Sequence, residues 1–211
     1  MSVKHFITTM VIAAISAVTP FAQPVVQAAE HAHDDKAAKP KHDMNKMWAE
    51  MRTRSVGMAV SVASDEKGGL WLARMQDGHI RVSHSEDGGK HFSEGVTVNP
   101  QPEAILAENQ NRPKIAVRNG VIAVTWVQAL PKVFAGNIRF ARSVDGGRTF
   151  SEPVTVNDDH GEISHGFSTL TLGDDGRVTL AWFDGRERDA AGKTGQKYVG
   201  TTVYYAVSED G

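Results

Sequence analysis

"ARSVDGGRTFSEP", residues 141–153, crowds Ser143, Asp145, Gly146, Gly147 and Phe150 into one short polar stretch. A carboxylate and a hydroxyl at this spacing can accept hydrogen bonds from turn amides, and paired glycines take conformations that a Cβ forbids. The following aromatic is then expected to fold back under a sheet. The stretch therefore predicts a self-contained turn joining two strands. "SEDGGKHF" at 85–92 repeats it with Ser85, Asp87, Gly89 and Phe92, and "SEDG" at 208–211 begins a third copy with Ser208 and Asp210. The three aspartates stand 58 (145 − 87) and 65 (210 − 145) residues apart.

Outward from these turns, runs such as "GLWLARM", "HIRVSHS", "KIAVRN", "VIAVTWVQ", "NIRFARS", "RVTLAWF" and "TTVYYAVS" are β-branched and aromatic, and many alternate apolar with polar residues. That is the signature of strands. Gln76-Asp77-Gly78, Arg118-Asn119-Gly120 and Gly173-Asp174-Asp175-Gly176 supply tight hairpin turns between them. No helical periodicity stands out after Arg54. Each unit has the order hairpin, third strand, acidic glycine turn, fourth strand. A period slightly above the ~40–50 residues of common propeller repeats predicts four-stranded blades with one longer loop each.

The acidic glycine turns resemble the Asp-box of the sialidase-like (BNR repeat) superfamily, over roughly residues 54–211. The resemblance implies an all-β fold, an incomplete sialidase-like β-propeller with about three four-stranded antiparallel blades of six. It also implies that Ser85, Asp87, Gly89, Phe92, Ser143, Asp145, Gly147, Phe150, Ser208 and Asp210 are structural and lie away from the active site. The third copy breaks off after Gly211, so the chain is expected to belong to a longer protein. A partial ring leaves open sheet edges, which favour self-association.

The first residues predict export to the periplasm or beyond. Lys4 precedes an apolar run from Phe6 to Val18, and Val26-Gln27-Ala28 suits cleavage, which gives a signal peptide at 1–28. Residues 29–53, rich in His, Lys and Asp, read as a tether before a domain at 54–211. His31, His33, His42, Met44 and Met47 offer soft-metal ligands there, against the alternative of a solvated linker. With no cysteine, disulfides cannot staple an exported domain, which must hold by packing. The net charge of −2 and the lack of a long like-charge block give no nucleic-acid footprint, and no segment after the signal is long enough to span a membrane.

Enzymes of the superfamily grip the carboxylate of sialic acid with three arginines, form a glycosyl intermediate on a Tyr paired with a Glu, and use an Asp as acid/base. The resemblance places Arg54 of "RSVGMAV" at the first arginine, although Ser55 and Val56 replace the family's Ile and Pro. Arg112 of "NRPKIAV", and Asp184 and Arg186 of "AWFDGRERD", fall at strand ends, where a propeller gathers polar groups onto a ligand. Arg54, Arg112 and Arg186 are thus the expected substrate contacts and Asp184 the expected catalytic group, with Arg188 and Asp189 behind them. A turn with a local ion pair is the alternative for Asp184-Gly185-Arg186.

The superfamily's Tyr and Glu pair has no clear counterpart among Tyr198, Tyr204 and Tyr205. The tryptophans Trp71, Trp126 and Trp182 read as core first and as a sugar-stacking platform second. His160, Glu162 and His165 in "DDHGEISHG" lack a recognised ligand spacing and read as polar loop residues, so no metal or cofactor is expected. The expected partner is a glycan or anionic sugar. A non-catalytic glycan- or protein-binding propeller of the cell envelope is the alternative to an exo-glycosidase.

Overall fold

The computed structural model describes residues 43–208. The expected signal peptide, His31, His33 and His42 of the expected tether, and Asp210 of the third acidic turn lie outside the described residues. Within them, three antiparallel sheets follow one another along the chain. The first comprises β1 (Ser61–Ser64), β2 (Leu70–Gln76), β3 (His79–Ser85) and β4 (Val96–Thr97), paired in that order.

The second contains β5 (Ile105–Leu106), β6 (Lys114–Arg118), β7 (Val121–Ala129), β8 (Gly136–Ser143) and β9 (Val154–Thr155). Here β5 and β6 both pair with β7, so the inner strand is broken in two. The third has β10 (His165–Leu172), β11 (Val178–Asp184) and β12 (Thr202–Ser208). The all-β, three-bladed architecture expected from the repeat is therefore present.

The repeated turns bear out the hydrogen bonding that their residue types dictate. Ser143 Oγ donates to Asp145 Oδ1 (2.7 Å) and accepts from the Gly147 N–H (2.9 Å), while Asp145 Oδ1 also accepts from the N–H groups of Arg148 and Thr149 (both 3.0 Å). In the first copy, Ser85 Oγ donates to Asp87 Oδ1 (2.8 Å) and accepts from the Gly89 N–H (2.9 Å). Bonds from the backbone and ring of His91 pull the Asp87 pKa down to about 2, and those from Thr149 hold Asp145 lower still.

The two aromatics differ. Phe150 packs against the core between the first and second sheets, whereas Phe92 stays 40% exposed, because no preceding sheet stands over it among the described residues.

Two cores lie between successive sheets. Ala73, Met75, Ile80 and Val82 of the first sheet meet Ile115, Ile122, Val124 and Trp126 of the second. Ala123, Val127 and Ile138 of the second meet Val178, Leu180, Trp182 and Tyr204 of the third. Trp71, Trp126 and Trp182 make the core contacts that come first in their sequence reading.

Two helices correct the sequence reading. Residues 44–52, placed in the tether, form α1 (Met44–Arg52), capped by Asp43 Oδ1, which accepts from the Asn45 and Lys46 N–H groups (3.0 and 3.2 Å). Met44, Met47, Trp48 and Met51 stand at helical spacing. Trp48 is buried in the second core, and its Nε1 donates to the Leu130 carbonyl (3.0 Å). The second helix, α2 (Arg186–Lys193), buries no residue, so it carries no apolar stripe for the sequence to reveal.

At Gly147 a side chain would meet both a left-handed backbone and the neighbouring sheet. Its φ is 79°, and a Cβ there would stand 2.7 Å from Trp71 Cζ3 of the neighbouring sheet and 2.9 Å from Ile122 Cδ1. Gly146, with φ 71°, has open space around it. Gly147→Ala is therefore expected to destabilise by about 2–4 kcal/mol and Gly146→Ala by about 1 kcal/mol in urea unfolding. Equal losses would mean that the sheets do not meet at this turn.

Candidate functional site

The strand registers divide polar groups between two ends of the sheets. Ser143 pairs with Ile122 and Ser85 with Leu70, which sets the acidic glycine turns at one end. His165 pairs with Asp184 and Gly136 with Ala129 at the other. The length of β7 separates the ends by roughly 25 Å. Loops that lead into the inner strands β6 and β10 open at the second end, together with the loop between β11 and α2.

At that end, the repeated "TVN" of "VTVNP" and "VTVND" supplies two buried asparagines that shape the loops. Asn99 Oδ1 accepts from the Ile80 N–H (2.6 Å), and Asn157 Oδ1 accepts from the Ile138 N–H (2.9 Å). Asn157 Nδ2 also donates to the Asp159 carbonyl (3.2 Å), which holds that residue towards β10. These asparagines were not singled out from sequence. Their signal is a fixed offset of 12 residues from Asp87 and Asp145 (99 − 87 and 157 − 145).

Asp184 closes β11 with its side chain fully buried. Its Oδ1 accepts from the backbone N–H and Nε of Arg186 (both 3.0 Å), and its Oδ2 from Trp182 Nε1 and Arg186 Nη2 (both 3.0 Å). The same Nη2 lies 2.8 Å from Asp158 Oδ1 and 3.3 Å from Asp159 Oδ1, and the guanidinium stacks 4.1 Å above the Tyr204 ring. Burial alone would raise the Asp184 pKa, but His165, Arg186 and Trp182 outweigh it and hold the carboxyl far below its ordinary range. Burial likewise opposes the charge on Arg186, yet Asp184 and Asp158 keep it protonated.

His165 opens β10 and is also fully buried. Its Nδ1 lies 2.7 Å from the Gly136 carbonyl, and its Nε2 lies 2.8 Å from Asp159 Oδ1 and 3.4 Å from Asp184 Oδ2 without an aligned hydrogen bond to either. Burial lowers the pKa of the ring, but Asp184, the Gly136 carbonyl and Asp159 together raise it above 6.5. Two residues on, Phe167 has a φ of 53° at an irregularity in β10, and its N–H donates to Asn111 Oδ1 (2.9 Å). A bulky residue in this conformation is strained, and the strain sits beside the cluster.

The sequence candidates have different fates. Asp184, the expected catalytic group, is buried and engaged by Arg186, Trp182 and His165, and its side chain does not face solvent. Arg186 holds three aspartates, which bears out the local ion pair and leaves its Nε and Nη2 unavailable to a ligand. Arg54 pairs with Glu108 (3.1 Å).

Arg112 follows the 3-10 turn Asn109–Asn111 that leans on β10. It is exposed, its Nε donates to the Asn109 carbonyl (3.1 Å), and it has no carboxylate partner among the described residues. Lys114, on β6, was not anticipated: burial and then Arg112 lower its pKa to about 8. His160 and Glu162 are exposed, and His165 parts from them to join Asp159 and Asp184. Asp189 pairs with Lys193 (2.6 Å) and Arg188 is exposed.

The opposing pKa shifts bound a pH window. The stabilisation from His165 is complete below about pH 6.5 and is lost as pH rises through its elevated folded pKa, whereas that from Asp184 is present above about pH 3.8 and is lost only on acidification towards its depressed one. With EDTA present, the melting temperature is expected to decline on the alkaline side of neutrality. Asp159→Asn should move the decline to lower pH by weakening support for the imidazolium. An alkaline limb that Asp159→Asn does not move would remove this linkage.

No protein-family model matches the sequence, and no curated protein sequence matches it. Solved structures do. The GH93 alpha-L-arabinofuranosidase of Fusarium graminearum in complex with arabinobiose aligns with a TM-score of 0.52 at 14% identity, over 74% of this chain and 46% of that chain. The enzyme with an iminosugar inhibitor gives 0.52 at 15% identity, over 76% and 47%. The Hadza microbial sialidase Hz136 aligns at a TM-score of 0.40 and 17% identity, over 61% of this chain and 33% of that chain, too distant to argue from. The chain spans less than half the length of the arabinofuranosidase. The likeness is one of fold: the three sheets are blades of a β-propeller of the kind found in glycoside hydrolases.

Proposed function

We propose that the chain is part of an exported propeller glycosidase that takes an anionic sugar, with sialic acid as the first candidate, at the end where the inner strands begin. The observation that carries this reading is the exposed Arg112, unpaired with any carboxylate among the described residues and standing beside Lys114. A planar guanidinium left open in this way suits a sugar carboxylate, which it can bind through two parallel hydrogen bonds. The turn that precedes Arg112 leans on β10 through Asn111, so the arginine shares its end of the sheets with Arg186 and the aspartates. Within this reading, Asp184 and Arg186 act as positioning residues that stiffen the wall of the site.

A second reading, a non-catalytic glycan-binding propeller, is favoured by the engagement of Asp184 and Arg186 with each other, which occupies both carboxylate oxygens and the Nε and Nη2 of the guanidinium. Hydrolysis of a fluorogenic sialoside and of an aryl alpha-L-arabinofuranoside, with sialic acid binding measured in parallel, separates the two. In the longer protein of which this chain is part, turnover of the sialoside is expected. Arg112→Ala should lower kcat/KM at least about 10-fold, the loss expected on removing a hydrogen bond to a charged group worth about 1.5–3 kcal/mol. Binding without turnover would select the second reading. Neither binding nor turnover, or an Arg112→Ala variant equal to the parent, would defeat both.

A further inference from the structure

We propose that Asp159, His165 and Asp184 form a binding site for a divalent transition-metal cation, built between the second and third blades. The inference does not depend on the sugar activity proposed above. The three side chains come from the loop after β9, the start of β10 and the end of β11, and their donor atoms lie within 4.8 Å of one another.

A carbonyl oxygen only accepts, so the contact with Gly136 places a proton on His165 Nδ1. That leaves Nε2, fully buried, facing Asp159 Oδ1 at 2.8 Å and Asp184 Oδ2 at 3.4 Å, with no aligned hydrogen bond to either. Unprotonated, its lone pair would meet two anionic oxygens with nothing between them.

Off-axis contacts at these distances are what donors around a shared ion make. With metal–ligand bonds of about 2.1 Å, neighbouring donors stand about 3.0 Å apart in an octahedron and about 3.4 Å apart in a tetrahedron. A donor at a right angle to the nitrogen across the ion lies about 45° off the ring's N–H axis, too far round for a good hydrogen bond.

The surroundings fit the same reading. Asp158, Asp159 and Asp184 bring three negative charges against the single positive charge of Arg186, so two remain once a cation displaces the Nε2 proton of the imidazole, matching a divalent ion. The supporting groups are in place: the Gly136 carbonyl fixes the ring, Trp182 Nε1 and Arg186 fix Asp184, and Asn157 fixes Asp159. Metal-ligating side chains are typically oriented by such partners. One imidazole with two carboxylates suits Zn²⁺ or Co²⁺ better than Ca²⁺ or Mg²⁺, which prefer an all-oxygen shell.

The test uses the full chain with His31→Ala, His33→Ala and His42→Ala, which removes the competing N-terminal ligands. After EDTA treatment and dialysis, Zn²⁺ is titrated by calorimetry at neutral pH, Co²⁺ spectra are recorded, and thermal unfolding is followed. One Zn²⁺ per chain, visible Co²⁺ d–d bands and a raised melting temperature are expected. Asp159→Asn, partly exposed and nearly isosteric, should bind Zn²⁺ at least about tenfold more weakly and lose the Co²⁺ bands while still unfolding cooperatively. His165→Gln should do the same. No Zn²⁺ bound by the triple-alanine background, or undiminished binding by Asp159→Asn, overturns the site and leaves a proton shared among the three side chains.

Discussion

Strand β7 is buried on both faces, and that constraint organises the molecule. Ile122, Val124 and Trp126 point into the core shared with the first sheet, while Ala123, Val127 and Ala129 point into the core shared with the third. A strand covered on one side would need only every second residue to be apolar. This one is packed on both, and Thr125, the polar residue in its middle, donates its hydroxyl to the Arg139 carbonyl (2.7 Å) and so carries no unmet bond into the interior. Among the described residues the outer sheets each have one open face, where Val62 of the first and Phe183 and Val203 of the third remain exposed.

That asymmetry explains which parts of the fold were legible in the sequence. The hairpins and acidic glycine turns are local devices, in which serine, aspartate and glycine satisfy one another within a few residues, so spacing alone announces them. Asn119-Gly120, both with positive φ, joins β6 to β7 as its residue types require. Helix α1 was legible in principle, since Asp43 is a good N-cap and Met44, Met47, Trp48 and Met51 share a face. Its surroundings of Lys, Asp and His masked the pattern. Helix α2 was not legible, because it buries nothing.

The candidate site was legible by place and not by role. Strand-end reasoning brings Arg112, Asp184 and Arg186 to one end of the blades, and the registers put them there. It could not foresee that Trp182, two residues before Asp184 on the buried face of β11, would turn its indole N–H onto that carboxylate. Nor could it separate His165 from His160. Both lie in one polar stretch, but His165 pairs with Asp184 across the β10–β11 ladder and is drawn inside, while His160 remains in solvent. Roles of this kind depend on contacts between strands, which a linear spacing does not encode.

The same contacts tie the site to the core. Trp182 packs in the second core through its ring and holds Asp184 through its nitrogen, so the carboxylate is fixed by the packing that joins two blades. Tyr204, from the adjacent strand, belongs to that core and lies under the Arg186 guanidinium, and its hydroxyl donates to Glu187 of α2 (3.2 Å). His165 reaches back to the Gly136 carbonyl at the start of β8, so the imidazole spans the second and third blades. A shift of one blade against the other would misalign the ring and both carboxylates together. His165 and Asp184 are thus held by interlocking strands and Asp159 by a loop that Asn157 ties down, the arrangement that keeps donor atoms fixed for a ligand.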